Sequence, residues 1–340
     1  MKTTKQRILA GITPSGNSLH IGNYFGAVKP HIELQNNQEL ETYYFLADLH
    51  ALTTVHDQQT LEANITGVVL DYLALGLDPE KSAFFRQSQV PAHSQLAVVL
   101  GNYISYGQMQ RMHAFKDKLQ KDASVGSINM GLFNYPILMA ADILLYKPSG
   151  IPVGEDQRQH IELTRDIAEN FNRTYHQEVF PLPEPIIGKE AGKIIGTDGQ
   201  RKMSKSLGNT IGIFEDEAII RKQIMSCFTD SNRKKATDPG QVEGNPVFIY
   251  HDLLNENIAE VEELKARYRA GTVGDVEVKE KLFLAHQHTF ARAREKRVAL
   301  ANNLELVKTI LVNGAQRANQ LAVATLQEVY QVIGIKNKLN

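Results

Sequence analysis

The sequence predicts an α/β fold: a Rossmann-type parallel sheet within residues 1–212, followed by an all-helical C-terminal part over 213–340. Three observations lead there. In the first half, short apolar runs closed by turn residues alternate with helix-length amphipathic stretches, the pattern of βα units wound into a parallel sheet. Beyond Pro246 there is no proline, and apolar residues recur at helical spacing. With 340 residues, 42% of them hydrophobic, the chain has room for two domains and a large core.

Taken in order, residues 7–12 read as a short buried strand. Residues 13–18 form a loop by their Pro14, Gly16 and Asn17 content. A helix begins at His20, with Ile21, Tyr24, Phe25 and Val28 on one face. A second strand, 42–47, ends in Asp48, Leu49 and His50, and a helix over 59–75 is stopped by Gly76 and Pro79. Residues 82–87 give a third strand. The middle reads as mostly helical, with a loop near 121–127 and a helix over 134–145 that spans Pro136. A further strand at 151–153 ends in Gly154, Glu155, Asp156 and Gln157. Ile161, Thr164, Ile167, Ala168 and Phe171 then line one helix face. Pro181, Pro183 and Pro185 make an extended connector, and Leu300, Leu304, Val307 and Leu311 are placed on a single amphipathic helix.

Composition excludes several classes. Lys plus Arg number 37 against 38 Asp plus Glu, so a polyanion must be met by a local patch rather than a global field. The lone Cys227 rules out an intramolecular disulfide, a cysteine-based zinc site and an iron–sulfur cluster held by this chain alone. Lys2, Lys5 and Arg7 are followed by no apolar stretch of signal-peptide length, and no run approaches the ~20 apolar residues of a membrane span. The expected location is cytoplasmic. Tryptophan is absent from the chain.

Two stretches carry chemistry. Residues 201–209, Arg-Lys-Met-Ser-Lys-Ser-Leu-Gly-Asn, suit a mobile loop whose ammonium groups close over a polyanion, supported by hydroxyls and backbone N–H groups. The word at 202–206 is expected by chance with a probability on the order of 10⁻⁴. The plainer reading is a solvated basic loop. Residues 13–23 place a glycine-bearing loop between a strand and a helix start, where unpaired N–H groups suit a phosphate. Thr13 and Ser15 offer hydroxyls, Gly22 opens room for a nucleotide, and His20 and Asn23 are donors one turn apart. Ordinary turn chemistry, with His20 capping the helix, is the alternative. The stretch is neither a Walker loop nor a dinucleotide fingerprint.

The pair His20-Ile21-Gly22-Asn23 and Lys202-Met203-Ser204-Lys205-Ser206 resembles the two signatures of class I aminoacyl-tRNA synthetases. Asn23 stands where histidine is usual, a departure familiar among the tryptophanyl enzymes. Residues 48–53, 135–144 and 152–157, with His160, Glu162 and Arg165, also resemble the tryptophanyl-tRNA synthetase family, so the likeness runs over most of 8–209.

The resemblance implies a catalytic domain over 1–212, taking ATP and tryptophan, and a helical domain over 213–340 that binds the tRNA anticodon. It implies His20, Asn23, Lys202, Ser204 and Lys205 as catalytic residues. Thr13, Pro14, Ser15, Gly22, Gly154, Glu155, Asp156, Ile194, Met203 and Ser206 complete the ATP site. Lys118 is a further phosphate-contacting lysine, or else part of a solvated helix face. Asp142 lies among Met139, Ala140, Ala141, Ile143 and Leu144, where an ionised carboxylate needs a donor. Read from the residues, it is an N-cap, a metal ligand, half of an internal ion pair, or a ligand contact. By resemblance it reads the indole N–H, with Met139 in the pocket, Tyr135 and Gln157 on the α-amino group, and His50 flanking. The implied partners are L-tryptophan, ATP as co-substrate carrying Mg2+, tRNA(Trp) and a second copy in a homodimer, with no resident metal, membrane or DNA partner. Arg221, Lys222, Arg233, Lys234 and Lys235 form a basic surface for tRNA, or are ordinary solvated charges. Thr13 departs from the glutamine of many bacterial members. The competing readings are the tyrosyl enzyme, a small-molecule adenylyltransferase of the same superfamily, and a non-catalytic regulatory paralogue.

Overall fold

Apolar residues on both faces of three short runs dictate strands buried from both sides. In the computed structural model, which describes residues 5–14, 16–113, 115–116, 128–186, 194–230, 233, 235 and 237–335, they form β1 (Gln6–Ile12), β2 (Leu40–Leu46) and β3 (Ser82–Arg86). All three are parallel, with β2 between the other two. Two further strands, β4 (Ile151–Pro152) and β5 (Pro185–Ile186), pair in parallel, and a bridge from Ile8 to Gly150 ties them to the free edge of β1. The spatial order is therefore 3-2-1-4-5, with the topological switch between β1 and β4, where open α/β sheets bind their ligands. The end of the extended proline connector, Pro185–Ile186, is thus a strand paired with β4.

Helices fill the crossovers. After β1 come α1 (Ile21–Asn23), a π-helical turn at Tyr24–Val28 and α2 (Lys29–Gln35). After β2 come α3 (Asp48–Ala51) and α4 (Gln58–Leu75), the latter capped by Asp57, which accepts the Thr60 N–H at 2.7 Å. Past β3 lie α5 (Ala92–Leu100), α6 (Tyr106–Gln110) and α7 (Met130–Tyr146), and α8 (Arg158–Tyr175) follows β4. The remainder is α9 (Glu217–Met225), α10 (Pro246–Leu254), α11 (Ile258–Arg269), α12 (Asp275–Ala301) and α13 (Leu304–Val332). Leu300 and Leu304 fall on different helices, because Asn303 caps α13 by accepting the Leu306 N–H at 3.2 Å. The single helix expected there is two.

Side chains alternate across the sheet with the period of two that a strand imposes. Ala10, Tyr44, Leu46 and Phe84 join one core with α4 and the helices α9 to α12. Leu9, Tyr43, Phe45, Ala83 and Phe85 join a second core with α5, α7, α8 and α13. The last of these helices lies directly on β3: a Cβ at Gly314 would overlap the Phe84 carbonyl, and Arg317 donates to the Pro79 carbonyl at 3.1 Å. A strand edge left bare is a template for aggregation, and α13 covers it.

Two predictions follow from this packing. Gly314→Ala forces the helix off the strand, and we expect a loss of about 1–3 kcal/mol in denaturant unfolding, the range for overpacking. The second concerns His31, stacked on Tyr44, and His286, whose Nε2–H donates to the Gly212 carbonyl at 2.9 Å. Burial pushes both imidazoles down to about 4. Between pH 6.5 and 4 the unfolded chain binds protons that the folded chain refuses. Stability therefore falls as pH drops through that window, by on the order of 3 kcal/mol for each group at its lower end. Thermal melts from pH 8 to 4 check this, and His31→Phe is expected to give a shallower decline than the parent.

Candidate active site

β1 runs out at Ile12, and the chain passes through an exposed Thr13 and a buried Pro14 to the start of α1. There His20 and Asn23 cap each other. Nδ1 of His20 accepts the Asn23 N–H at 3.3 Å, and Oδ1 of Asn23 accepts the His20 N–H at 3.1 Å. Nδ1 thus serves as the acceptor, which leaves the ring proton on Nε2. Burial first, then the Lys205 and Lys202 ammonium groups, push this imidazole down to about 4, so near neutrality it is an uncharged donor. The capping alternative and the placement beside the lysines both hold, because they use different atoms of the ring.

The basic loop is a hairpin. Ile195 bridges Lys202, the Met203 N–H donates to the Ile194 carbonyl at 2.8 Å, and the Gly196 N–H to the Arg201 carbonyl at 2.7 Å. Buried Asn209 holds the bend: Oδ1 accepts the Ser204 N–H at 2.8 Å, while Nδ2 donates to Asp198 and to the Lys202 carbonyl. The hairpin is docked on the first loop. Ile21 N–H donates to the Ile211 carbonyl at 3.0 Å and Ile213 N–H to that of Leu19 at 3.3 Å. Met203 is buried against Gly22, and the Lys205 ammonium lies on Gly16 and donates to the Ser18 carbonyl. Lys202 is exposed, and Ser204 and Ser206 share a hydrogen bond of 3.0 Å. The two stretches singled out in the sequence are therefore one site. Ser15 and Lys118 lie outside the described residues.

The carboxylate of Asp142, on α7, is 1% exposed. Gln87 Nε2 donates to both of its oxygens, at 2.7 and 2.9 Å. His93 Nδ1 meets Oδ1 at 2.6 Å, and His50 Nε2 meets Oδ2 at 2.8 Å. His93 is fixed in turn by Tyr146, whose hydroxyl lies 2.9 Å from Nε2. Burial acts to raise the pKa of Asp142, but the hydrogen bonds and charge of His50 and His93 outweigh it and hold the group at about 2. Among these donors His50 is the partly open one, its side chain 13% exposed against 0% for His93. Of the roles left open by the sequence, the carboxylate takes a buried, hydrogen-bonded one, with partners at Gln87 just past β3, His50 on α3 and His93 on α5. Asp48, at the same rim, is engaged by Arg86 Nε at 3.0 Å and the Ser88 N–H at 2.9 Å, which locks the ends of β2 and β3 together.

Around this carboxylate, Tyr135 lies edge-on to His50, and its hydroxyl is 2.7 Å from His160 Nε2. Burial pushes the phenol up to about 12, so it stays protonated. Met139 is half-buried on the same helix as Asp142. Past β4, Gly154 and Gln157 are half-buried, while the Glu155 carboxylate is exposed and engaged by Arg158 at 2.6 and 3.0 Å. The Asp156 side chain lies outside the described residues.

Sequence reading missed Gln87, His93 and Tyr146. Their one signal is an unbroken change from apolar strand to polar residues at Gln87. The basic surface also needs correction. Arg233 is buried, donates to the Val273 and Asp238 carbonyls and to Asp275, and stacks on Tyr268 at 4.0 Å. Arg221 pairs with Glu280 and covers Phe283. Neither is a free surface cation, and Lys234 lies outside the described residues.

The chain is similar to known proteins over nearly its whole length. The family model of class I tRNA synthetases (W and Y) matches residues 1–291. The tryptophan–tRNA ligase of Fusobacterium nucleatum is 43% identical over 330 residues, 97% of this chain and 98% of that protein. That of Chlamydia caviae is 41% identical over 339 residues, 98% and 97% of the two chains. The crystal structure of tryptophanyl-tRNA synthetase from Campylobacter jejuni, complexed with ADP and tryptophan, superposes with a TM-score of 0.88 at 40% identity, covering 96% of this chain and 99% of that one. The chain belongs to the class I tRNA synthetases (W and Y).

Proposed function

We propose that this chain is a tryptophan–tRNA ligase. It activates L-tryptophan with ATP to tryptophanyl-adenylate, releases diphosphate, and transfers tryptophan to the 3′ end of tRNA(Trp). The observation that carries the reading is the seating of Lys205 on the loop before His20, at the same sheet rim that holds an ionised, buried Asp142.

The substrate carboxylate is ionised at neutral pH, so activation needs no general base. One of its oxygens attacks the α-phosphorus in line. A new O–P bond forms, the bond from that phosphorus to the bridging oxygen breaks, and the electron pair leaves with diphosphate. The protein's work is alignment and charge stabilisation. His20 Nε2–H and Asn23 meet phosphate, and Lys202, Lys205 and Ser204 follow the departing group, with the hairpin opening for ATP and closing during activation. Thr13, Pro14, Ser15, Gly22, Gly154, Glu155, Asp156, Ile194, Met203 and Ser206 enclose the nucleotide, and Lys118 adds a phosphate contact. Mg2+ arrives as the counter-ion of ATP. Among the described residues no group of three or more His, Cys, Asp or Glu is set to hold a metal, and the lysine-lined rim fits an ion carried by phosphates and water.

On the amino-acid side, a carboxylate has about four lone-pair sites, and Asp142 spends them on Gln87 twice, His93 and His50. The indole N–H takes the place of the one donor that can yield, the partly open His50. Tyr135, donating to His160, keeps its oxygen lone pairs for the α-ammonium, beside Gln157. Met139 packs the ring. Phenylalanine has no ring N–H to exchange for that of His50, so it gains nothing from the carboxylate and binds more weakly.

Residues 213–340 contact the tRNA anticodon, although α13 also braces the sheet of the first 212 residues. Among the described residues no helix is long and apolar enough to cross a membrane. The proposed setting is the cytoplasm, with a homodimer as the assembly and no membrane or DNA partner.

Because the chain contains no tryptophan, fluorescence at indole wavelengths reports bound substrate directly. L-Tryptophan is expected to give a saturable signal that tyrosine analogues do not displace. Gln87→Met and His93→Phe are expected to weaken that binding at least ~10-fold, and His50→Phe to weaken it less, because only the first two hold the carboxylate in place. Lys205→Ala is expected to slow tryptophan-dependent ATP–diphosphate exchange by about 10² or more while tryptophan titration stays unchanged. An unaltered exchange rate would remove Lys205 from the mechanism.

A further inference from the structure

Away from both substrates, a second buried carboxylate ties the C-terminal helices to the phosphate loop. Asp71, on α4, is 0% exposed. Its Oδ2 accepts the Leu19 N–H at 2.7 Å and the Ser18 hydroxyl at 3.1 Å. Its Oδ1 accepts Nε–H of Arg297, from α12, at 2.5 Å. The Arg297 guanidinium also lies over the Phe214 ring, 5.2 Å from its centre, just past the basic hairpin. One turn before Asp71, Gly67 lets the loop press onto the helix, since a Cβ there would overlap the Asn17 carbonyl. Ser18, held by Asp71, also supplies the carbonyl that seats the Lys205 ammonium, and Leu19, held by the same carboxylate, directly precedes the capping His20.

We propose that Asp71 is a positioning residue for activation. With Arg297 it fixes the turn at Ser18 and Leu19, and through the Ser18 carbonyl it sets where the Lys205 ammonium stands. Arg297 belongs to a helix outside the nucleotide-binding sheet, so a displacement of α12 reaches the leaving-group lysine through one carboxylate. Neither residue lies within either proposed substrate pocket, and neither needs to touch ATP. A loop displacement of about 1 Å is enough to cost up to 10²-fold in rate when the displaced group acts on the transition state. The inference rests on the proposed activation reaction.

The test uses the full chain. Asp71→Asn keeps the size of the side chain, removes its charge and leaves a single acceptor oxygen for three donors. In tryptophan-dependent exchange we expect kcat to fall about tenfold, with KM for tryptophan and the fluorescence titration unchanged. Arg297→Met is expected to reproduce that loss, and Arg297→Lys to recover most of it. In a Lys205→Ala background, Asp71→Asn is expected to cost nothing further, because both changes act on the same ammonium. A parental kcat in Asp71→Asn overturns the proposal. So does a loss that multiplies with that of Lys205→Ala, or one matched by an equal rise in KM for tryptophan. Should Asp71→Asn fail to fold, the Arg297 pair carries the same comparison. Exchange by the unmutated chain tests the reaction itself, so failure there and failure of the Asp71 variants are separate results.

Discussion

An ionised carboxylate inside an apolar helix must be met by donors, and this requirement at Asp142 constrains the architecture around it. Leaving such a group unpaired costs several kcal/mol, so its partners must arrive in register. They come from just past β2, from the first residue after β3, and from α5. Those positions coincide because the three parallel strands finish on one rung: Ile12 stands opposite Leu46, and Leu46 opposite Arg86. A slip of one residue would turn every strand side chain to the wrong face and carry the donors away with it. The same level rim launches the loop that leads to His20. The proposed amino-acid and nucleotide sites therefore share a single geometric condition.

The distribution of charge follows from the same economy of burial. Positive charge stands on the exposed side of the site, at Lys202 and Lys205. The imidazole between them and the helix start is kept neutral by its own burial first and then by those neighbours. A third cation there would repel the other two in the absence of phosphate, whereas a neutral N–H donor helps when phosphate is present and costs little when it is not. Around Asp142 the arrangement is reversed. The negative charge is deep, its donors are mostly fixed, and the one partly open to solvent faces Tyr135.

Much of this was legible in the chain, and what was not has physical reasons. The first three strands were readable because a strand covered on both faces must be apolar throughout. The two signature stretches were readable because their residues are neighbours in sequence as well as in space. β5 was hidden by three prolines that read as a connector; its pairing needs only two residues at the sheet margin. Gln87 and His93 were hidden because a donor to a buried carboxylate has no local pattern, only a partner far along the chain. Arg233 was misread for the opposite reason, since a charge seen in sequence carries no mark of burial. The break at Asn302 and Asn303 was overlooked because apolar spacing continues across it while a capping side chain ends one helix and starts another.

The seating of α13 on β3 also has a consequence for synthesis on the ribosome. Strands β1 to β3 emerge within the first 86 residues, yet the helix that closes their outer margin spans Leu304–Val332. During translation the sheet must wait, one flank uncovered, while more than half of the polypeptide is still to be made. A chain cut short before Leu304 would carry both signature stretches complete and the edge of its sheet bare. The defect of such a product would be its naked strand, a template for pairing with other chains, and not a gap in either signature stretch.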